Sequence, residues 1–373
     1  MSASSHRDDF FQTTSALDQQ KRKDAKSNNT NGSPIRLQSK ILAIQADPLD
    51  NGSVYVAQSG GMVRKINLET GETVAIFKGP TAPVTSLCFS PNGQLLFAGC
   101  WDKTVWSWDV TSKQRKIKYE GHTDFVRSVV ATRLRSQDLL VSGGADAQIL
   151  VFDIASGQRL HAFKGHTKGI QDLSIDPATL DPDSSEQCVF SAGSDREIRR
   201  FDITKGSQDL TGTEALLAHE TNVYKLYFDQ DGDLWTASAD KTAKCLVRED
   251  GWKPNLTLSH PDYVRDVVVD ERGGWVLTAC RDEEIRVWNR STGQLYHTFS
   301  GHYEEVTGLA LVGLTLVSVS IDATIRQWSL KPDDLRNAVD QATKPPTDEQ
   351  LANPESMLTE EEERELAGLL EEE

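Results

Sequence analysis

Five histidines and five aspartates carry the groups that acid–base or metal chemistry would use: His122 and Asp146, His166 and Asp195, His219 and Asp240, His260 and Asp282, His302 and Asp322. Four residues before each aspartate stands a hydroxyl, at Ser142, Ser191, Thr236, Thr278 and Ser318. Six residues after it stands Phe152, Phe201, Leu246, Trp288 or Trp328. Imidazole, hydroxyl and indole N–H are the donors that a buried carboxylate needs. A constellation written five times over belongs to a scaffold rather than to one active centre. The other histidines, His6, His161 and His297, have no metal-ligand spacing with one another or with the five cysteines, none of which forms a C-x-x-C. G-x-S-x-G, H-E-x-x-H and a phosphate-cradling G-x-x-x-x-G-K-[ST] are all missing from the sequence. The expectation is a non-catalytic protein without cofactor, metal or small-molecule substrate.

These residues need elements to hold them, and the elements repeat. "GHTDFVRSVV", a turn and "LLVSGGADAQILVFDI" set one pattern, and the aspartates from Asp102 onward follow at steps of 44, 49, 45, 42 and 40 residues. β-Branched and aromatic runs such as "YVRDVVV" and "WVLTA" alternate with turn sequences such as "SPNG", "DQDG" and "ERGG". Two further copies lie upstream. One has Pro80, Ala98, Asp102 and Trp108 in the four marked positions, and the most degenerate has Gly60 and Ile66 in the last two.

Over about residues 34 to 330 this pattern resembles the WD-repeat family of β-propellers. The resemblance implies an all-β fold: a seven-bladed propeller of four-stranded antiparallel blades with flexible termini. It implies that the marked His, Ser/Thr, Asp and Trp hydrogen-bond within each blade. The sets His260/Thr278/Asp282/Trp288 and His302/Ser318/Asp322/Trp328 look complete, while Phe or Leu in the last slot loses a donor. "PIRLQSK", residues 34–40, is strand-like and placed to pair with the last blade, which would remove an exposed sheet edge.

Function then falls to surface loops. In such propellers the residue before the turn aspartate points into one face, here Ser59, Trp101, Ala145, Ser194, Ala239, Arg281 and Ile321. Residues entering the first strands share that face. The partner-binding face is therefore expected to comprise Trp101, Phe125, Arg127, Gln171, Tyr224, Tyr263, Arg265 and Arg281, rich in types that anchor interfaces. In "GCWDKTVWSWDV", residues 99–110, Trp108 belongs to the scaffold and Asp102 to the turn. Trp101 stands where no blade geometry asks for an indole, and Trp106 stands where other repeats place Arg199, Arg286 and Arg326. Repeat four carries two insertions, "DPATLDPDSSEQ" and the long step from Phe201 to His219, both expected on the opposite face as a second docking surface.

The 373 residues carry a net charge of -16, of which -11 falls in residues 333–373. This charge argues against nucleic acid as a partner. No apolar run of about 18 residues is present, which argues against a membrane span. The chain is expected to divide into a disordered segment 1–33, the propeller 34–332, a linker 333–357 and an acidic tail 358–373. The tail's short amphipathic helix carries Leu358, Leu366, Leu369 and Leu370. The function read from all this is an intracellular scaffold or adaptor subunit, in nucleus or cytoplasm, that binds partner proteins through the face and the tail helix. An acidic or phosphorylated peptide would suit the arginines of the face. The alternatives are an acidic escort of a basic client, such as a ribosomal protein or histone, and an RNA-binding propeller.

Overall fold

A computed structural model describes residues 21–180, 186–206, 208–209 and 214–343, except 22 and 25. Seven sheets follow one another along the chain, each starting with an inner strand: Ile41–Ala46, Val84–Phe89, Val126–Leu134, Ile170–Ile175, Val223–Phe228, Val264–Asp270 and Val306–Val312. The chain is a seven-bladed propeller of antiparallel blades. Blade 7 takes its fourth strand from the start of the chain, as Ile35 pairs with Ile325 and Arg36 with Thr324. The ring closes as "PIRLQSK" implied.

Middle strands are buried on both faces because each blade packs against the next. Leu95–Cys100 and Cys188–Gly193 are almost entirely buried, whereas the outer strand Thr73–Lys78 alternates exposed and buried. Aromatic rings fill the seams, with Phe77 against Trp108 and Tyr119 against Phe152. Burying such an apolar side chain is worth about 1.5–3 kcal/mol. Trp108 is scaffold, fully buried, with its indole donating across the seam to the Lys78 carbonyl at 3.1 Å.

The blade networks follow the sequence in four blades. His302 bonds Asp322 at 2.9 Å and Ser318 at 2.8 Å, and the Trp328 indole donates to Ser318 at 2.9 Å. His122, His166 and His219 likewise bridge Asp146 and Ser142, Asp195 and Ser191, and Asp240 and Thr236. Blade 6 departs from its expected completeness. His260 bonds Thr278 and the Leu258 carbonyl, while Asp282 pairs with Arg286 at 2.6 Å. Arginines fill the same slot in blades 4 and 7, but there Arg199 pairs with Glu197 and Arg326 donates to Asn29, so the carboxylate stays with the imidazole, whereas Arg286 turns to Asp282.

The edges of blades 3 and 4 depart from regular pairing among the described residues. Among the described residues blade 4 shows three strands, with an isolated bridge between Ile198 and Leu216 in the fourth place. The second insertion of repeat four is not simply a loop on the opposite face, because Gln208–Asp209 pairs in parallel with the outer strand Arg159–Lys164 of blade 3. Part of the segment 1–33 is also structured. Lys26 pairs with Glu283 and Glu284, and Asn29 and Asn31 donate to the Gly301 and Ser300 carbonyls.

The chain divides into two compact units, Met1–Lys331 and Pro332–Glu373. In the second, Pro332–Thr343 is helical, so the expected linker 333–357 begins as a helix. Pro332 starts it and Asp333 and Asp334 suit its N-terminal dipole. Leu358, Leu366, Leu369 and Leu370 lie outside the described residues.

Candidate partner-binding face

In blades 2 to 7 the turn between second and third strands is built by its aspartate. The residue after it adopts positive φ, at Lys103, Ala147, Arg196, Lys241, Glu283 and Ala323, with Gly61 in blade 1. The carboxylate supports this strained turn by accepting the N–H two residues on, as Asp102 does from Thr104 and Asp322 from Thr324. The residue before the aspartate is fixed by its backbone alone. Its N–H donates to the loop entering the blade, from Trp101 to Pro83, Ala145 to Phe125, Arg281 to Tyr263 and Ile321 to Glu305. Of these side chains, Ser59, Trp101 and Ile321 come together on one face of the ring, where they line a common cavity.

On that face Trp101 is 39% exposed and its ring stacks on Phe125 at 5.0 Å and 14°. Trp106, which the sequence also singled out, is buried and donates to Asp102 at 2.7 Å. It replaces the donor lost with Pro80 and Ala98, so one tryptophan, Trp101, is left for the surface.

Beside Trp101 opens an axial cavity of about 570 Å³. Five of the eight predicted face residues line it: Trp101, Arg127, Gln171, Tyr224 and Arg265. Phe125 backs Trp101. Tyr263 and Arg281 form a separate cation–π pair at 5.2 Å and are not among the lining residues. Arg265 lies over Tyr224 at 4.2 Å and pairs with Glu305 at 2.6 Å. Arg127 donates to Gln171 at 3.0 Å, and its buried Nε has no partner among the described residues. Burial and the charge of Arg265 both push the Arg127 guanidinium down from its ordinary value.

A deeper layer escaped sequence reading. Ser128 donates to Asp172 at 2.8 Å and accepts from the Leu173 N–H of the next blade. Asp172 accepts from Leu226 and Asp266 from Leu309, again across a blade boundary, with Lys225 3.4 Å from Asp172. Every inner strand has a register shift near its start, between Val126 and Ser128 or Val264 and Asp266 for example. The extra residue turns two consecutive side chains toward the axis. A strictly alternating strand would not show that.

His166, Asp195 and Glu197 bring metal-ligand atoms within 4.8 Å of one another. The imidazole is already bonded to Asp195 and Ser191, and Glu197 to Arg199, so this is blade network. Burial opposes ionisation of Asp195, but the His166 bond and charge outweigh it and lower its pKa to about 2. Among the described residues no helix is long and apolar enough to cross a membrane.

An uncharacterized WD repeat-containing protein of Schizosaccharomyces pombe is 35% identical over 375 residues, spanning 97% of both chains. The nuclear distribution protein PAC1 of Coccidioides posadasii is 27% identical over 283 residues, 67% of this chain and 58% of that protein. A tRNA (guanine-N(7)-)-methyltransferase non-catalytic subunit, wuho of Drosophila yakuba, is 29% identical over 166 residues, 43% of this chain and 38% of its own length. The family model of the WD domain, G-beta repeat, matches residues 71–109, 113–153, 157–202, 211–245, 252–289 and 293–329. It leaves out the first three strands of blade 1, where Gly60 and Ile66 replace the marked residues. With the ring, the blade networks and these matches together, the chain belongs to the WD40 repeat family.

Proposed function

We propose that this chain is a non-catalytic scaffold or adaptor subunit of an intracellular complex, and that a partner peptide docks at the mouth of the axial cavity. The observation that carries this reading is Trp101. It is a large exposed ring, stacked on Phe125, on a turn whose geometry makes no use of it. Such aromatic surface beside a guanidinium is the chemistry of an interface anchor. Relatives that are subunits by name, the wuho methyltransferase subunit and a chromatin assembly factor 1 subunit homologue of rice, support an assembly role.

The partner's contact group is acidic, a carboxylate or phosphate beside an apolar side chain. Among the described residues Arg127 and Arg281 have no ion pair, whereas Arg265 is already matched by Glu305. An RNA strand fits less well, because Asp172, Asp266 and Glu305 also line the cavity. The test compares proteins that co-purify with wild type, Trp101→Ala and Arg265→Glu/Arg281→Glu at two salt concentrations. Loss of the same partners from the Trp101→Ala chain is expected. An unchanged partner set with a natively folded variant would overturn the reading.

A further inference from the structure

The outer strands of the blades differ in charge. Thr73–Lys78 of blade 1 and Lys253–Ser259 of blade 5 carry one cation each, and Arg159–Lys164 of blade 3 carries two. In blade 2, Lys113, Arg115, Lys116 and Lys118 fall on or beside the outer strand Arg115–Tyr119, and all four are exposed. Arg115 and Lys118 lie over one indole, Trp106, at 5.3 and 5.2 Å. The ring holds both heads in place without cancelling their charge. Lys118 reaches Glu120 at 3.4 Å, and Lys116 reaches Asp109 only at 3.9 Å. Among the described residues Lys113 and Arg115 have no carboxylate partner, Lys113 reaching the Val74 carbonyl instead.

The backbone of this strand is open on one side. Ile117 donates its N–H to the Ser107 hydroxyl at 3.1 Å and accepts from it at 2.8 Å, so it faces the third strand of the blade. Alternation along a strand turns the N–H and C=O of Lys116 and Lys118 the other way. Among the described residues no strand lies there. The neighbouring blade shows what such an edge accepts. Gln208–Asp209 adds to the outer strand Arg159–Lys164 of blade 3 as a fifth strand, with Asp209 opposite Lys164.

We propose that the edge of Arg115–Tyr119 is a second docking surface, and that it takes an extended acidic segment of a partner protein as a fifth strand. None of its cations lines the axial cavity. Carboxylates at alternate positions of the segment stand beside Lys116 and Lys118, and its backbone bonds their open groups. The same cations keep a second copy of this chain off the edge, because self-pairing would set like charges against each other. A nucleic acid strand fits less well. Trp106 is only 7% exposed beneath its two cations and gives no base a platform, and the net charge of -16 repels a long polyanion.

The probe is an end-blocked heptapeptide of alternating glutamate and threonine, titrated into the full chain by fluorescence anisotropy and by hydrogen exchange. Saturable binding that weakens with salt is expected, with exchange slowed at Lys116 and Lys118. Lys116→Glu/Lys118→Glu is expected to weaken binding at least about tenfold, since attractive cross-strand pairs become repulsive. Lys113→Gln/Lys116→Gln, which leaves both cations over Trp106, should weaken it by less and guards against a folding defect. The same heptapeptide N-methylated throughout keeps every carboxylate but has no N–H to give, and should also bind at least about tenfold more weakly. Equal binding of the two peptides overturns the inference. So does an oligouridylate of equal charge that binds more tightly than the peptide and loses that binding in Lys116→Glu/Lys118→Glu. Wild-type affinity of the peptide for Trp101→Ala keeps it on the rim, whereas loss there moves it to the cavity and overturns the inference. The docking reading of the cavity is decided separately, by the partners that co-purify with Trp101→Ala.

Discussion

The Trp106 indole donates to Asp102 at 2.7 Å, taking the place that a histidine holds in blades 3, 4, 5 and 7. Blade 6 uses Arg286 on Asp282 from the same position, four residues after the carboxylate. The turn therefore needs a donor, and its chemical type is interchangeable. A half-buried carboxylate deprived of its donor costs about 1–3 kcal/mol. Trp106→Phe is expected to lose that much in urea unfolding, and Trp106→Arg to lose less although it removes more apolar surface. An equal loss in both would show that packing, not the hydrogen bond, is what Trp106 supplies.

Stability is expected to fall as pH drops from about 6.5 to about 4. His260 is depressed to about 4, first by burial and then by the charge of Arg286. Above its ordinary value the ring is neutral in both states and contributes nothing. Below it the unfolded chain takes up a proton that the folded chain refuses, a loss of about 3 kcal/mol once pH is near 4. His302, also lowered by burial, adds to the same slope. Asp195 acts in a lower window, its contribution vanishing only as pH falls toward 2. Urea midpoints measured from pH 7 to pH 4 should drop in wild type and drop less in His260→Gln.

The repeats made the ring legible because each blade is specified by local spacing, from His122 to Ser142 to Asp146 and on through the chain. Trp101 was legible for the same reason: the turn fixes its backbone and asks nothing of its side chain. Pairings that run between blades or compete within one were not. Nothing in the spacing of His260 and Asp282 says that Arg286 will take the carboxylate. Arg265 and Asp266 both reach the axis only because a bulge interrupts the alternation of "VRDVVVD". The strand Gln208–Asp209 was hidden because its partner lies 45 residues back, at Phe163 and Lys164.

Asp266 ties blade 6 to blade 7 by accepting the Leu309 N–H at 2.8 Å. Burial pushes its carboxyl up, so its charge is costly there while its acceptor is useful. Asp266→Asn keeps an oxygen for Leu309 and is expected to change stability by less than about 1 kcal/mol, whereas Asp266→Ala strands that N–H and costs about 1–3 kcal/mol. Urea unfolding of the two variants checks this. Similar losses from both would mean that the charge facing Lys225, rather than the link between blades, is what the ring uses.

Closure of the ring depends on Arg326, which is fully buried under the N-terminal segment. Its Nη1 donates to Asn29 Oδ1 at 2.7 Å and to the Asn31 carbonyl, while Nε and Nη2 have no partner among the described residues. A buried guanidinium with so few acceptors is sensitive to losing one, at a cost of about 1–3 kcal/mol for a charged donor left unmade. Asn29→Ala should therefore destabilise the chain by that amount, and Asn29→Asp, which loses the donor to Gly301 but keeps the acceptor and adds an opposite charge, should be less damaging. Because blade 7 is closed by only two strand residues from the chain's start, loosening Asn29 exposes the edge of Thr324–Ser329 before the rest unfolds. Hydrogen exchange should accordingly speed up first at Ile325 and Gln327 in Asn29→Ala. Uniform acceleration across all seven blades would instead place the weakness in the ring as a whole.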